Sequence, residues 1–270
     1  MSDLGRSVYA TAAVWIGLVG LFWQDFATYW QPVPEDVPGR TAVACVVAIA
    51  FSAAGIAMLV RRTAAGGGLM AAALFTAAAL LWVKRVIYFP GIFGTWGGCA
   101  EEIAQAIGGL LVFLAARKGG ALSDRLKAWC VVAFGACAIC FGILHFEALP
   151  QTAAMVPPWL PLGGTFWAMA TGVFHAAGGL ALVIGVMERL AARLLTAMYA
   201  GFSLLVWLPK LPGQFGEHIP WAGNGVNLAL VGAAWLVADH VAARQSLPSL
   251  GWRRRRASAS VAMASATPAP

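Results

Sequence analysis

A histidine in the middle of a long apolar run, His175 in FHAAGGLALVIG, has the side chain in this chain best suited to chemistry. A neutral imidazole can ligate a metal or haem iron, relay a proton, or hydrogen-bond a quinone carbonyl. Paired quietly to a neighbouring helix, it would do none of these. Ionisable groups at membrane depth are expensive and are therefore the default functional candidates. A second group joins Arg85, near the end of one apolar run, to Glu101 and Glu102, near the start of the next. The short connection makes those runs antiparallel neighbours, brings the charges to similar depth and predicts an ion pair. Breaking one partner of a desolvated pair costs about 3–5 kcal/mol, so such a pair serves structure as readily as function. The related positions later in the chain are Lys210 and Asn227, which keep polarity but not the acid.

Two further constellations are weaker. His145 and Glu147 end one run, and Glu217 and His218 lie in the last loop on the same face. Imidazole and carboxylate suit zinc, copper or iron, but the spacing matches no ligand motif, and solvated interfacial residues explain it better. Cys137 and Cys140 form a CxxC, with Cys130 on the same helical face. In an apolar setting thiolate formation is disfavoured, so these read as small apolar filling. Phosphate-binding glycine loops, serine triads, HExxH and basic–aromatic grooves are absent from the sequence, and nucleic acid is not an expected partner.

The elements that carry these residues follow from composition. Of 270 residues, 60% are apolar and 11% charged, against about 25% charged in soluble chains. The lipid bilayer is therefore the expected surrounding. Continuous apolar runs, with no alternation every second residue, exclude a transmembrane barrel and leave helices. About 20 helical residues cross a bilayer, and eight stretches qualify: 8–24, 41–60, 63–83, 98–116, 128–146, 165–187, 189–208 and 222–241. The first has no small-residue cleavage site after it and reads as a retained helix, not a signal peptide.

Alternate connections hold 14 and 4 of the 18 Lys and Arg residues. Cytoplasmic loops carry the excess, which predicts a multi-pass protein with both termini in the cytoplasm and assigns the net charge of +7 to orientation. Trp252 and Arg253 to Arg256 are expected to rest on anionic lipid, and 257–270, an uncharged Ala/Ser/Pro segment, to be disordered.

The chain also matches itself. Asp25-Phe26 falls on His145-Phe146, Val37-Pro38 on Val156-Pro157, Gly55 on Gly179 and Trp82 on Trp207. Four spans per copy, an even number, make the repeat parallel, with its symmetry axis along the membrane normal. The expected organisation is a four-helix unit over 1–118, a second over 119–245 and a basic tail over 246–270. Each copy has a proline-rich connection, QPVPEDVP or MVPPWLP, that is expected to form a rigid non-helical lid.

In the second copy FGILHF, MVPPWLP and HAAGGLALVIGVMERLAA follow in order, with Gly178, Gly179, Gly185, Arg189, Ala191 and Ala192 at the distinctive positions. This resembles the DoxX-like family of four-helix bacterial membrane proteins, here as a tandem pair. The resemblance implies the bacterial inner membrane and a redox setting, since named members resemble subunits of thiosulfate:quinone oxidoreductase or helpers of membrane redox complexes. One departure stands out. The family usually has a carboxylate where this chain has His175, and the first copy has Ser52 at the position read as related.

The expectation is therefore an all-α membrane protein of eight helices in two parallel four-helix repeats. Its ligand-binding candidates are His175, Arg85, Glu101, Glu102, His145, Lys210 and Asn227. Two functions fit: an accessory, quinone-linked subunit of a membrane redox system with a soluble or membrane redox partner, or a carrier or binding scaffold for a small apolar or amphipathic molecule.

Overall fold

The computed structural model describes residues 3–117 and 119–246. Eight segments are long and apolar enough to cross a membrane. They are α1 (Asp3–Trp23), α2 (Arg40–Leu59), α3 (Ala64–Tyr88), α4 (Phe93–Ala116), α5 (Ala121–Glu147), α7 (Gly163–Ile184), the segment Glu188–Lys210 that opens with α8 (Glu188–Phe202), and α9 (His218–Ser246). A short α6 (Leu149–Met155) precedes the second proline-rich connection, and α8 continues through a π-helix, Ser203–Trp207, and a 3-10 turn, Leu208–Lys210. Most spans run past their expected ends. In particular, α4 starts at Phe93 and not at 98, so Glu101 and Glu102 lie about two turns inside it. The tail expected to be disordered and lipid-bound lies outside the described residues.

Helix neighbours form one pattern twice. In the first half α1 packs on α2, α2 on α3 and α3 on α4; in the second, α5 packs on α7, α7 on α8 and α8 on α9. Across the middle α1 packs on α9, α5 on α4, and α4 on α9. Exchanging the halves maps this set of contacts onto itself.

The buried faces repeat in register. Gly5, Tyr9, Ala12, Ile16 and Gly17 of α1 correspond to Cys130, Phe134, Cys137, Phe141 and Gly142 of α5, numbered 125 higher. In α2 and α7 the shift is 124, from Ala44, Ala48, Phe51 and Gly55 to Ala168, Gly172, His175 and Gly179. This register corrects two sequence matches. Asp25 does not correspond to His145, whose partner position is Gly20, and Ser52 is not the counterpart of His175, which is Phe51. The local likeness of DF to HF misled the first; a one-residue slip misled the second. Along α8 the shift moves from 124, at Phe75 and Tyr199, to 125, at Trp82 and Trp207. The π-helix lies between, and a π turn absorbs one inserted residue.

Lipid gives helices no hydrophobic reason to associate, so small residues that let backbones touch do that work. A Cβ at Gly109 would lie 2.6 Å from the Gly68 carbonyl oxygen, and one at Gly68 would lie 2.7 Å from that of Gly109, which fixes α3 against α4. One at Gly55 would lie 2.6 Å from the Ala10 oxygen, between α2 and α1, and one at Gly135 would lie 2.7 Å from the Gly179 oxygen, between α5 and α7. Where the first half has Gly68 and Gly109, the second has Ala192 and Ala234, and α8 packs on α9 less closely than α3 on α4.

Indole hydrogen bonds finish the helix ends opposite the basic connections. Trp96, Trp167 and Trp221 each donate Nε1–H to a carbonyl six residues earlier, those of Pro90, Pro161 and Phe215, at 3.0, 2.8 and 3.0 Å. At the basic end Arg244 pairs with the buried Glu188, tying α9 to the start of α8.

Gly109→Val is expected to lower stability by about 1–3 kcal/mol through overpacking against the α3 backbone. Gly66→Ala, with open space around its Cβ position, should leave stability unchanged or raise it by up to about 1 kcal/mol. Thermal unfolding of the two purified variants in one detergent checks the contrast.

Candidate functional site

Three helices of the second half bring the site together. Cys137, Phe141 and His145 share one face of α5, four residues apart. Opposite them, α7 presents His175, 1% exposed, and α8 presents Tyr199, also 1% exposed, with Phe202 one turn on. The His145 and His175 rings lie 4.7 Å apart between centroids, His175 and Tyr199 5.4 Å, and Phe141 and His175 5.9 Å. Phe202 closes the group, 5.9 Å from His175 and 6.3 Å from both His145 and Tyr199.

Each imidazole is held by its own helix. Nδ1 of His175 lies 2.9 Å from the Thr171 carbonyl oxygen, and Nδ1 of His145 lies 2.8 Å from that of Phe141. A carbonyl only accepts, so each Nδ1 carries the proton and donates it, and in each neutral ring Nε2 keeps its lone pair. The Tyr199 hydroxyl, fully buried, has no hydrogen-bond partner among the described residues. Two acceptors and one unused donor therefore stand together between aromatic walls.

The first half answers what this arrangement replaces. At the positions of His145, His175 and Tyr199 it has Gly20, Phe51 and Phe75. Phe51 and Phe75 pack edge to face at 5.0 Å as ordinary core. One scaffold thus carries an apolar core in one copy and three polar side chains in the other.

The expected ion pair is not formed. Arg85 is exposed, with its guanidinium 5.4 Å over the Trp82 ring, and no ion pair among the described residues involves it. Lys210 does the same over Trp207 at 4.7 Å. Both cations sit at the outer turn of their helices, where an aromatic face and headgroup water cost less than a buried carboxylate partner. Glu101 instead accepts a hydrogen bond from Trp30 Nε1 at 3.1 Å. Glu102 is 1% exposed, and its Oε2 has no partner.

Asn227, the counterpart of Glu102, is satisfied. Its Nδ2 donates to the Tyr199 carbonyl at 3.0 Å and to Ser203 Oγ at 2.6 Å, where α8 widens into the π-helix. Asn224 braces the far end of that turn, donating to the Trp207 carbonyl at 3.0 Å. The π segment beside the site went unread in the sequence; the change of repeat shift from 124 to 125 was its one signal.

His218 leaves the group it was read with, stacking on Trp23 at 4.8 Å while His145 turns inward to His175. Among the described residues, no three His, Cys, Asp or Glu side chains converge on one point. The five cysteines are free thiols, and Cys130 and Cys137 fill the α5 interface.

Compared with protein-family models, with curated proteins and with solved structures, the chain matches none.

Asn227→Leu removes the amide that bonds the Tyr199 carbonyl and Ser203 at the start of the π turn and should cost about 1–3 kcal/mol. Ser203→Ala alone should cost less. In a double-mutant cycle the pair should couple by about 0.5–2 kcal/mol, read from thermal unfolding; additive losses would mean that the bond contributes nothing.

Proposed function

We propose that this integral membrane protein binds a small, flat, mostly apolar molecule carrying carbonyl or hydroxyl groups, of the quinone class, at His145, His175 and Tyr199. On this reading it acts as an accessory, quinone-linked subunit of a bacterial inner-membrane redox system, with both termini in the cytoplasm. The observation that carries the reading is the replacement of an apolar core by two Nε2 acceptors and an unpaired phenol at matched positions of a repeated scaffold. A buried hydroxyl without a partner costs about 1–3 kcal/mol, so a phenol at Tyr199 is retained where a ligand supplies the missing partner. A quinone carbonyl accepts from the Tyr199 hydroxyl, and a quinol hydroxyl donates to an imidazole Nε2. Phe141 and Phe202 offer ring faces to the same molecule. The resemblance to DoxX-like proteins supports the redox setting, and the 14-to-4 division of basic residues supports the orientation.

The first half supplies the control substitutions, because Phe51 and Phe75 are tolerated at the matched positions. His175→Phe with Tyr199→Phe should leave helix content and the unfolding temperature near those of the unaltered protein while weakening binding of a short-chain benzoquinone at least tenfold. Quinone extracted from the purified protein should fall with it. Equal binding by both proteins, or none by either, overturns the reading. Saturable binding of apolar amphiphiles with no preference for quinones would support the carrier function in its place.

A further inference from the structure

The turn from α7 to α8 and the end of α9 enclose an open groove of about 520 Å³, lined by Met187, Arg189, Leu190, Arg193 and Gln245. Arg189 and Arg193 lie one turn apart on α8, and both are exposed. Neither is in an ion pair among the described residues. The neighbouring carboxylate, Glu188, is buried and already paired with Arg244 of α9. That pair also holds the end of α9 against the start of α8, so both walls of the groove keep their places. Residues one turn apart on a helix have Cβ atoms about 5–6 Å from each other, and like charges so placed repel. Two guanidinium groups therefore share one groove with nothing of this chain to neutralise them.

The first half again shows what has changed. At the shift of 124 that relates the start of α3 to that of α8, the positions of Met187, Arg189, Leu190 and Arg193 are held by Thr63, Ala65, Gly66 and Leu69. Two arginines of the first half, Arg61 and Arg62, stand in the turn itself, and Arg61 pairs with Asp3. Charge in a connection is enough to orient a span. The α7–α8 turn, Gly185 to Met187, has none, and its arginines sit instead within the apolar segment Glu188–Lys210. Orientation does not ask for that placement; a ligand with an anionic head and an apolar body does. Leu190 and Leu194, both exposed, carry the apolar lining along α8 and away from the turn. A phosphate free in water would gain nothing from them.

We propose that this groove holds one anionic phospholipid, with its phosphate between Arg189 and Arg193 and its acyl chains along Leu190 and Leu194. A guanidinium fork meets phosphate oxygens two at a time, which favours arginine over lysine for this task. Gln245 adds an amide that donates to the headgroup. Basic pockets between spanning helices recognise lipid headgroups in the same way. The lipid bridges α8 and α9, where Ala192 and Ala234 replace the glycines that bring α3 onto α4, and it stabilises the boundary that packs less closely. The site is separate from the histidine pair and does not rest on the quinone reading.

Native mass spectrometry of the full chain, delipidated in a neutral detergent and titrated with phosphatidylglycerol, tests the site. The unaltered protein should take up one such lipid saturably, bind phosphatidylcholine at least tenfold more weakly, and unfold at a higher temperature once the lipid is bound. Arg189→Ala with Arg193→Leu, which restores the residue types of the first half at exposed positions, should keep the lipid-free unfolding temperature and weaken phosphatidylglycerol binding at least tenfold. Arg61→Ala with Arg62→Ala removes the same charge from the matched turn of the first half and should leave that binding unchanged. Undiminished binding in the first double variant, or an equal loss in both, overturns the proposal. So does displacement of the lipid by millimolar inorganic phosphate, which would make the groove a site for a water-borne anion.

Discussion

Close approach of helix backbones at glycine is the contact on which the molecule depends. In water, apolar side chains are driven together; in lipid they are as well solvated outside the bundle as inside it. The balance then passes to van der Waals fit, and fit is best where a missing Cβ lets one backbone touch the next. Gly68 against Gly109, and Gly135 against Gly179, are such places. They set the depth and rotation of α3 on α4 and of α7 on α5. Every later statement about which side chains face one another inherits that register.

Repetition of this packing explains how polar chemistry could enter the second half without loss of the fold. Of the glycine contacts that hold α5 to α7, Gly135 against Gly179 is backbone on backbone and free of both histidines, whereas Gly172 packs on His145, whose Cβ lies 2.9 Å from where a Cβ at Gly172 would be. Histidine in place of Phe51 and tyrosine in place of Phe75 at the matched positions put polar side chains in the interior while the buried faces keep their register. The closer fit of α3 on α4 in the first half, and the alanines and π turn of α8 in the second, follow the same division. One half packs two of its helices more closely, and the other has a helix that departs from regular geometry beside its polar groups. π turns often mark functional positions because the widened backbone re-aims side chains and leaves carbonyls to be satisfied from outside; here Asn227 satisfies one of them.

Much of this was legible from residue types alone. Low charge and unbroken apolar runs specify eight helices, because lipid leaves the backbone no other way to satisfy itself. His175 was recognisable as the deep ionisable group, since one such residue in an apolar run is conspicuous. The register between copies was harder to read. Small apolar residues give many near-equal alignments, so Ser52 stood in for Phe51 and Asp25 for Gly20. His145 was placed at the outer face for a related reason: it lies near the end of its run, and only the rotation of α5 shows that it turns toward α7. The Arg85 pairing failed on geometry of another kind. Similar depth brings charges to one level, but whether they meet is decided by helix rotation and by competing aromatic faces, and Trp82 is nearer to hand.

The location of the polar groups follows from the repeated arrangement. Glu102 and Asn227 hold matched positions on α4 and α9, but Asn227 is neutral and spends its amide on α8, donating to the Tyr199 carbonyl and to Ser203 Oγ. The polar residues of the second half gather where α5, α7 and α8 meet, with His145, His175 and Tyr199 one from each helix. A duplicated bundle therefore gains what a symmetric pair of separate chains lacks: two related cores that can diverge, one with Phe51 and Phe75 and the other with His175 and Tyr199 at the matched positions.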